Sequence, residues 1–264
     1  MRALGRRPRS RAFLLVRGGD GPRNLRGALP VCEDVPAHEP VRTCPLYRPR
    51  PPIRSFDALL DRIATRLQAP LPGHEAHVRM APESPRRDAL SVTDRGCREA
   101  GVLVLLLPPA QAPRVVLTVR HEDLSDHGGQ ISFPGGQREG DETLPETALR
   151  EAEEEIGLPS PSVRVLGGLT PLYIPPSNFC VHPFLGAVAA VPSLRPTDRE
   201  VESILRAPVQ RLLRPEARVV ETWTLHGRAV DVPYYDVDGH VVWGATAMMM
   251  AELLAVLGDE LPSE

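Results

Sequence analysis

The sequence predicts a layered α/β domain, and three observations carry that expectation. An unbroken aliphatic run at 101–107 (GVLVLLL) reads as a strand buried on both faces. Shorter apolar or alternating segments recur after it, at 115–119, 163–169, 181–191, 219–225 and 230–237. Around them lie stretches with apolar residues at helical spacing, at 55–68, 143–157 and 245–257. Strands mixed with a few helices imply helices layered on a sheet.

Taken in order, the first fifty residues stand apart. They hold eleven Arg and four acidic residues, a net +7, whereas the remainder carries −10 and the whole chain of 264 residues −3. Proline and glycine are dense there and hydrophobic periodicity is poor, as in a disordered extension or a start placed too far upstream. Arg-rich, acid-poor starts also occur in transit peptides, but the chain contains no lysine, so its arginine richness is a general bias rather than a local targeting code. We therefore expect residues 1–54 to be an extension and residues 55–260 the folded domain. Ser55 caps a first helix at 55–68, with Phe56, Leu59, Leu60, Ile63 and Leu67 at helical spacing. A proline-broken linker at 69–95 leads to the strand at 101–107, and 115–119 is its hairpin partner. Further strands are expected at 163–169 and 181–191. Residues 200–213 read as a helix interrupted near Pro208, and 219–225 with 230–237 as a hairpin around Gly227. The last helix, 245–257, carries Met248, Met249 and Met250 as core filling.

The helix at 143–157 holds the candidate chemistry. Thr143 and Glu146 have the spacing of a capping box, Pro145 suits the first turn, and Gly157 followed by Pro159 is a stop signal. Pro145, Ala148, Leu149, Ala152 and Ile156 fall on one face, which should pack on the core. Glu151, Glu154 and Glu155 stand at i, i+3 and i+4 on a different side. Like charges at that spacing repel by a few tenths of a kcal/mol per pair. Acidic runs are mostly solvated faces, but three converging carboxylates also make an oxygen-rich site for a hard cation such as Mg²⁺ or Mn²⁺.

The wider pattern favours the second reading. Gly136, Glu142, Arg150, Glu151, Glu154, Glu155 and Gly157, with aliphatic Ala152 and Leu158, fit G-x5-E-x7-R-E-U-x-E-E-x-G-U at every fixed position. At roughly 6% usage each, seven such residues coincide with a probability on the order of 10⁻⁹ per start position. This run resembles the Nudix box, the signature of hydrolases that cleave a nucleoside diphosphate linked to another group. The resemblance implies an α/β/α sandwich around a mixed sheet and a metal held by Glu151, Glu154, Glu155 and the backbone carbonyl of Gly136. Bound Mg²⁺ or Mn²⁺ neutralises the diphosphate and activates a water. Arg150 either pairs with Glu142 or contacts phosphate, and the resemblance favours the pairing. Among catalytic candidates Glu154 is the general base if it is not fully engaged as a ligand, with Glu151 and Arg150 beside it; Glu200 is a weaker candidate base.

The flanks resemble one branch, the coenzyme A pyrophosphatases. Leu117, Thr118, Arg120, Gly129, Phe133, Pro134, Gly135 and Gly136, with His127 and Gln130, match the motif that precedes the box there. Residues 172–177 and 243–247 resemble the branch's proline-containing loop and the opening of its last helix. Two positions depart: Ser125 stands where an arginine is usual, and His121 where a small residue is. Arg120, Phe133, Gly135 and Arg138 are the candidate substrate contacts. Phe133 reads equally as a core aromatic, and Arg138 as a solvated loop arginine.

The branch implies hydrolysis of coenzyme A or an acyl-coenzyme A to adenosine 3′,5′-bisphosphate and 4′-phosphopantetheine or its acyl form. A Nudix hydrolase of another diphosphate, and a non-catalytic nucleotide-binding module, are the competing readings. The acidic body argues against a nucleic-acid partner. No apolar run reaches the ~18 residues of a membrane span. Cys32, Cys44, Cys97 and Cys180 form no C-x-x-C and no zinc spacing, so reduced thiols in a cytoplasmic protein are expected. The sequence does not specify the oligomeric state.

Overall fold

The computed structural model describes residues 55–82, 90–109, 112–121, 129–225, 227–258 and 260–261, all within the unit formed by residues 50–264. The expected extension at 1–54 lies outside the described residues, as do Ser125 and His127.

The aliphatic run is the spine of the sheet. It forms β1 (Arg98–Leu107), paired in parallel with β7 (Phe179–Val188) from Arg98↔Phe179 to Leu106↔Ala187. At its far end β1 meets β2 (Arg114–Arg120) as a hairpin, and nearer its start it pairs with the short β4 (Gly135–Gln137). β2 continues against β3 (Ile131–Ser132) and β8 (Val201–Pro208), while β7 also carries β5 (Val163–Gly168) and β6 (Leu172–Ile174). The path runs β3-β2-β1-β7-β5, with β4, β6 and β8 attached beside it. A second antiparallel sheet is built from β9 (Arg218–Leu225), β10 (Arg228–Val237) and β11 (His240–Val242), so the expected hairpin around Gly227 gains a third strand.

A strand buried on both faces needs cover on both, and alternation along β1 shows where each comes from. Leu103, Leu105 and Leu107 pack with Ala148, Ala152 and Ile156 of α3 (Leu144–Ile156). Val102, Val104 and Leu106 pack on the opposite side, in a cluster with Leu59, Leu60 and Ile63 of α1 (Phe56–Arg66) and most of α5 (Gly244–Gly258). The result is the α/β/α sandwich. Leu103, Leu105, Leu106, Ile63 and Met250 lose essentially all solvent contact, each burial being worth about 1.5–3 kcal/mol. Ser55 caps α1 by accepting the Ala58 N–H at 3.2 Å, and Met248, Met249 and Met250 are buried.

Three expectations need correction. The linker at 69–95 contains a short helix, α2 (Gly73–Val78). Residues 200–213 are not a helix: β8 pairs with β2, and only Val209–Leu212, α4, is helical. There Leu205 and Ala207 face the larger core cluster and Ile204 the other, an alternation that suits a strand filling the open side of β2. Finally, Cys97 and Cys180 are joined as a disulfide, with Cα atoms 5.7 Å apart. The β1–β7 register, which sets Glu99 opposite Cys180, brings together cysteines 83 positions apart that no spacing rule links.

One polar cluster lies inside the α5 layer. Glu252 is fully buried and accepts from the Gly73 N–H (3.1 Å), the Thr170 N–H (3.0 Å) and the Thr170 hydroxyl (2.6 Å), with His77 Nε2 at 3.1 Å. Burial disfavours its charge, but the bonds from His77 and Thr170 prevail and hold its pKa below the usual carboxylate range. Glu252 thereby ties α2 and the loop between β5 and β6 to α5.

Candidate active site

The site is built on α3 and the glycines of β4. Thr143 and Glu146 form the expected capping box: the Glu146 carboxylate accepts the Thr143 N–H at 2.7 Å. Gly157, at φ 66°, ends the helix in the left-handed conformation that glycine adopts without strain. The first turn of α3 can lie close to β1 because Gly101 has no side chain. A Cβ there would stand 2.3 Å from the Leu144 carbonyl oxygen and 2.9 Å from the Ala148 nitrogen. Helix and sheet are thus held at a separation that a glycine alone permits.

The same device acts once more, on the carboxylates. Gly136 pairs with Gly101, and a Cβ at Gly136 would fall 2.4 Å from Glu151 Oε1 and 2.7 Å from Oε2. The Glu151 carboxylate therefore occupies the space over the Gly136 backbone. Gly135, at φ 154°, packs equally closely on Gly101 and Val102, and its N–H donates to Glu155 Oε2 at 3.2 Å. Two adjacent glycines receive two glutamates from one helix.

Arg150 organises the remaining acids. Its Nε and Nη2 bond both oxygens of Glu142, at 3.1 and 3.0 Å, and Nη2 also reaches Glu151 (3.0 Å) and the Gln137 carbonyl (3.1 Å). Nη1 holds Glu154 at 3.1 Å. The bidentate bond from Arg150 holds the Glu142 carboxyl well below its usual range, at about 2, and Thr147 adds a hydroxyl at 3.0 Å. This is the structural pairing expected of Arg150, fastening the loop to the helix.

Electrostatics divide the glutamates. Burial raises Glu151 despite the nearby Arg150, and pushes Glu155 up to about 8 despite the Gly135 N–H. Two desolvated carboxylates meeting at a glycine loop are groups that a divalent cation would keep ionised, so this donor set fits such an ion. The three glutamates do not all converge, however. Glu154 is 55% exposed and turned to Arg150, and among the described residues no three His, Cys, Asp or Glu side chains are gathered as a ready cation cage. Helical spacing set their common side, but the arginine draws the middle one outward.

The candidate substrate contacts separate further. Phe133 is 2% exposed within the large core cluster, the position of a core aromatic. Arg138 is a loop arginine, 44% exposed, paired with Glu99 at 3.1 Å. Arg120 ends β2 and bonds Glu200 at 2.6 Å. Its Nε is buried and meets no acceptor among the described residues. The charges of both Arg120 and Glu200 act on Glu155, the arginine lowering its pKa and the weaker candidate, Glu200, raising it. Its approach is fixed by a segment that sequence reasoning passed over. The Arg195 N–H bonds the Ile156 carbonyl, and Thr197 bonds the carbonyls of Glu155 and Glu154. Gly101 was also missed as a site residue; a lone glycine inside an aliphatic strand is the signal for close backbone approach.

Residues 98–223 match the NUDIX domain family. A protein of Photorhabdus laumondii named as an uncharacterized Nudix hydrolase, NudL, is 32% identical over 173 residues, covering 65% of this chain and 89% of that protein. A protein of the same name from Pectobacterium atrosepticum is 36% identical over 167 residues, covering 61% of this chain and 84% of that protein. Among solved structures, RenU, a Nudix hydrolase from M. smegmatis, is similar at 19% identity with a TM-score of 0.44, over 63% of this chain and 89% of that one.

Proposed function

The chain belongs to the Nudix hydrolases, and from that premise we propose that it cleaves the diphosphate of coenzyme A or an acyl-coenzyme A with the help of a divalent cation. The products are adenosine 3′,5′-bisphosphate and 4′-phosphopantetheine or its acyl form. The observation that carries the hydrolase reading is the pairing of Gly136 with the Glu151 carboxylate and of Gly135 with Glu155. The motif from Leu117 to Gly136 supports the coenzyme A branch.

Glu151 and Glu155, joined by Glu154 and the Gly136 carbonyl, would hold Mg²⁺ or Mn²⁺, which when bound neutralises the diphosphate and acidifies a water. The chain's own groups do the rest. Arg150 keeps β4, which carries Gly136, and the loop after it fixed against α3, so the carboxylates are positioned before substrate arrives. Glu154, exposed and held by one ion pair, can turn toward the attacking water and take its proton as long as it is not fully engaged as a ligand. Oxygen from that water joins one phosphorus, the bridging P–O bond breaks, and the departing oxygen is protonated. Arg120, whose guanidinium is bound by one carboxylate oxygen of Glu200, would donate to a phosphate oxygen of the substrate.

The test is hydrolysis of coenzyme A, 3′-dephospho-coenzyme A, ADP-ribose and an oxidised nucleoside triphosphate, each with Mg²⁺ and with Mn²⁺. Coenzyme A should give the highest kcat/KM. If Arg120 contacts the 3′-phosphate, Arg120→Ala should cut kcat/KM for coenzyme A about ten- to a hundredfold more than for the dephospho form, the value of a charge-assisted hydrogen bond. Equal losses would assign Arg120 to the diphosphate or to the loop. Preference for ADP-ribose or the triphosphate would leave the Nudix assignment and remove the coenzyme A branch.

A further inference from the structure

We propose that Glu200 is a latch on Arg120: it occupies the guanidinium in the free protein, and a substrate phosphate must displace it, so Glu200 sets affinity and selectivity for phosphate-bearing ligands. The inference rests on the reading of Arg120 as a phosphate contact. The geometry carries it in three steps. The Glu200 backbone is fixed, since its N–H donates to Asp198 Oδ1 at 3.0 Å and its carbonyl accepts the His121 N–H at 2.9 Å. Beyond that backbone its side chain is 51% exposed and holds Arg120 through a 2.6 Å bond. A half-exposed carboxylate can swing into water at small cost, because exposed ion pairs contribute little.

Arg120 is the less satisfied partner. Its side chain is 27% exposed, and the buried Nε meets no acceptor among the described residues. One carboxylate oxygen of Glu200 engages one Nη, which leaves further Nη–H donors for a phosphate, two of whose oxygens can accept side by side. A phosphate would supply both bonds where Glu200 supplies one. The exchange would also be felt at α3. The segment leading to Glu200 is bonded through Thr197 to the carbonyls of Glu154 and Glu155, and Arg120 and Glu200 both act on the Glu155 carboxylate. Displacing Glu200 therefore substitutes a ligand's negative charge for its own at the edge of the same cluster.

The experiment is calorimetric titration, without added metal, of adenosine 3′,5′-bisphosphate and separately of inorganic diphosphate. The proteins are wild type, Glu200→Gln, Glu200→Asp, Arg120→Ala and the Arg120→Ala/Glu200→Gln double variant, each checked for an unchanged melting temperature. Glu200→Gln should tighten binding about three- to fivefold, the scale of a lost exposed ion pair. Glu200→Asp, whose carboxylate is withdrawn from Arg120, should tighten it less. In the Arg120→Ala background the gain should vanish. A gain of equal size without Arg120 would mean that Glu200 repels anions generally, and the latch would be overturned; so would unchanged affinity in Glu200→Gln. If Arg120-dependent tightening is seen for diphosphate and not for the bisphosphate, the latch stands and the 3′-phosphate reading falls. If the bisphosphate binds through Arg120 with no effect of Glu200, the latch falls and the coenzyme A reading survives.

Discussion

Replacing Gly136 by alanine puts one methyl group where the Glu151 carboxylate now lies. The new Cβ would stand 2.4 Å from Oε1 and 2.5 Å from Cδ, against an ordinary contact of about 3.5–4.0 Å. The carboxylate must therefore retreat by roughly 1 Å or more. What it strikes is the end of a flexible side chain, so the cost to folding is one displaced rotamer, about 1 kcal/mol. For a domain of this size that lowers the melting temperature by about 2–4 °C. The cost to function is larger, because a 1 Å misplacement of a positioning group can remove about 10²-fold in rate. Gly101→Ala is the informative comparison. Its Cβ would meet backbone, the Leu144 carbonyl at 2.3 Å and the Ala148 nitrogen at 2.9 Å, neither of which can step aside without moving α3. That overpacking should cost about 1–3 kcal/mol. Steady-state turnover of the best substrate and thermal unfolding, measured on both variants, separate the two effects: Gly136→Ala should be nearly as stable as wild type and about a hundredfold slower. A folded Gly136→Ala protein with wild-type kcat would refute the idea that Glu151 must lie over that glycine.

The other predictions are read by turnover and by unfolding with heat, acid or denaturant. Glu154→Gln should lower kcat by at least about 10²-fold with the melting temperature nearly unchanged, since its one ion pair is exposed; near-normal turnover would remove Glu154 from the chemistry. Glu142 has a folded pKa of about 2 against an ordinary 4.5, so its stabilising effect is complete above about pH 4.5 and is lost as pH falls through about 2. The stability gap between wild type and Glu142→Gln should accordingly be constant above that range and narrow below it, and a gap independent of pH in acid unfolding would contradict the depressed pKa. Glu252→Ala leaves His77, the Gly73 N–H and two Thr170 donors without their acceptor in a fully buried place. It should cost about 3–5 kcal/mol, and a loss under about 1 kcal/mol in denaturant unfolding would show that water or rearrangement replaces the carboxylate.

Elements whose signals are local were legible in the sequence. The helix α3 carries its own cap, stop and apolar face, and its limits follow from Thr143 and Gly157. The strand β1 and the hairpin of β9 and β10 announce themselves by runs and a turn glycine. What was not legible depends on distant partners. The segment of β8 reads as a helix in the sequence because VESILRAP has no strong period of its own; β2 supplies the edge that makes it a strand. The two- and three-residue strands β3 and β6 are too short to show a period, and they exist through β2 and β7. Gly135 and Gly136 stand among the candidate site residues, but their reasons, close packing on β1 with an N–H to Glu155 for the first and the Glu151 carboxylate over the second, need the β1–β4 register. Glu200 is legible only as a weaker candidate base, because nothing in the chain between Arg120 and Glu200 signals that β2 and β8 will meet.

The parallel ladder between β1 and β7 also bears on how the chain finds this fold. Each of its pairs joins residues about eighty positions apart, and the β2–β8 ladder spans similar distances, so the centre of the sheet cannot zip up from a neighbouring turn. Loop closure has to come first, and contacts of this range place a domain among the slower folders, in milliseconds to seconds. The meeting of α3 with β1 and β4 requires much shorter closures. The glutamate helix and its two glycines can therefore come together early, while Glu200 reaches Arg120 after the longest loops have closed.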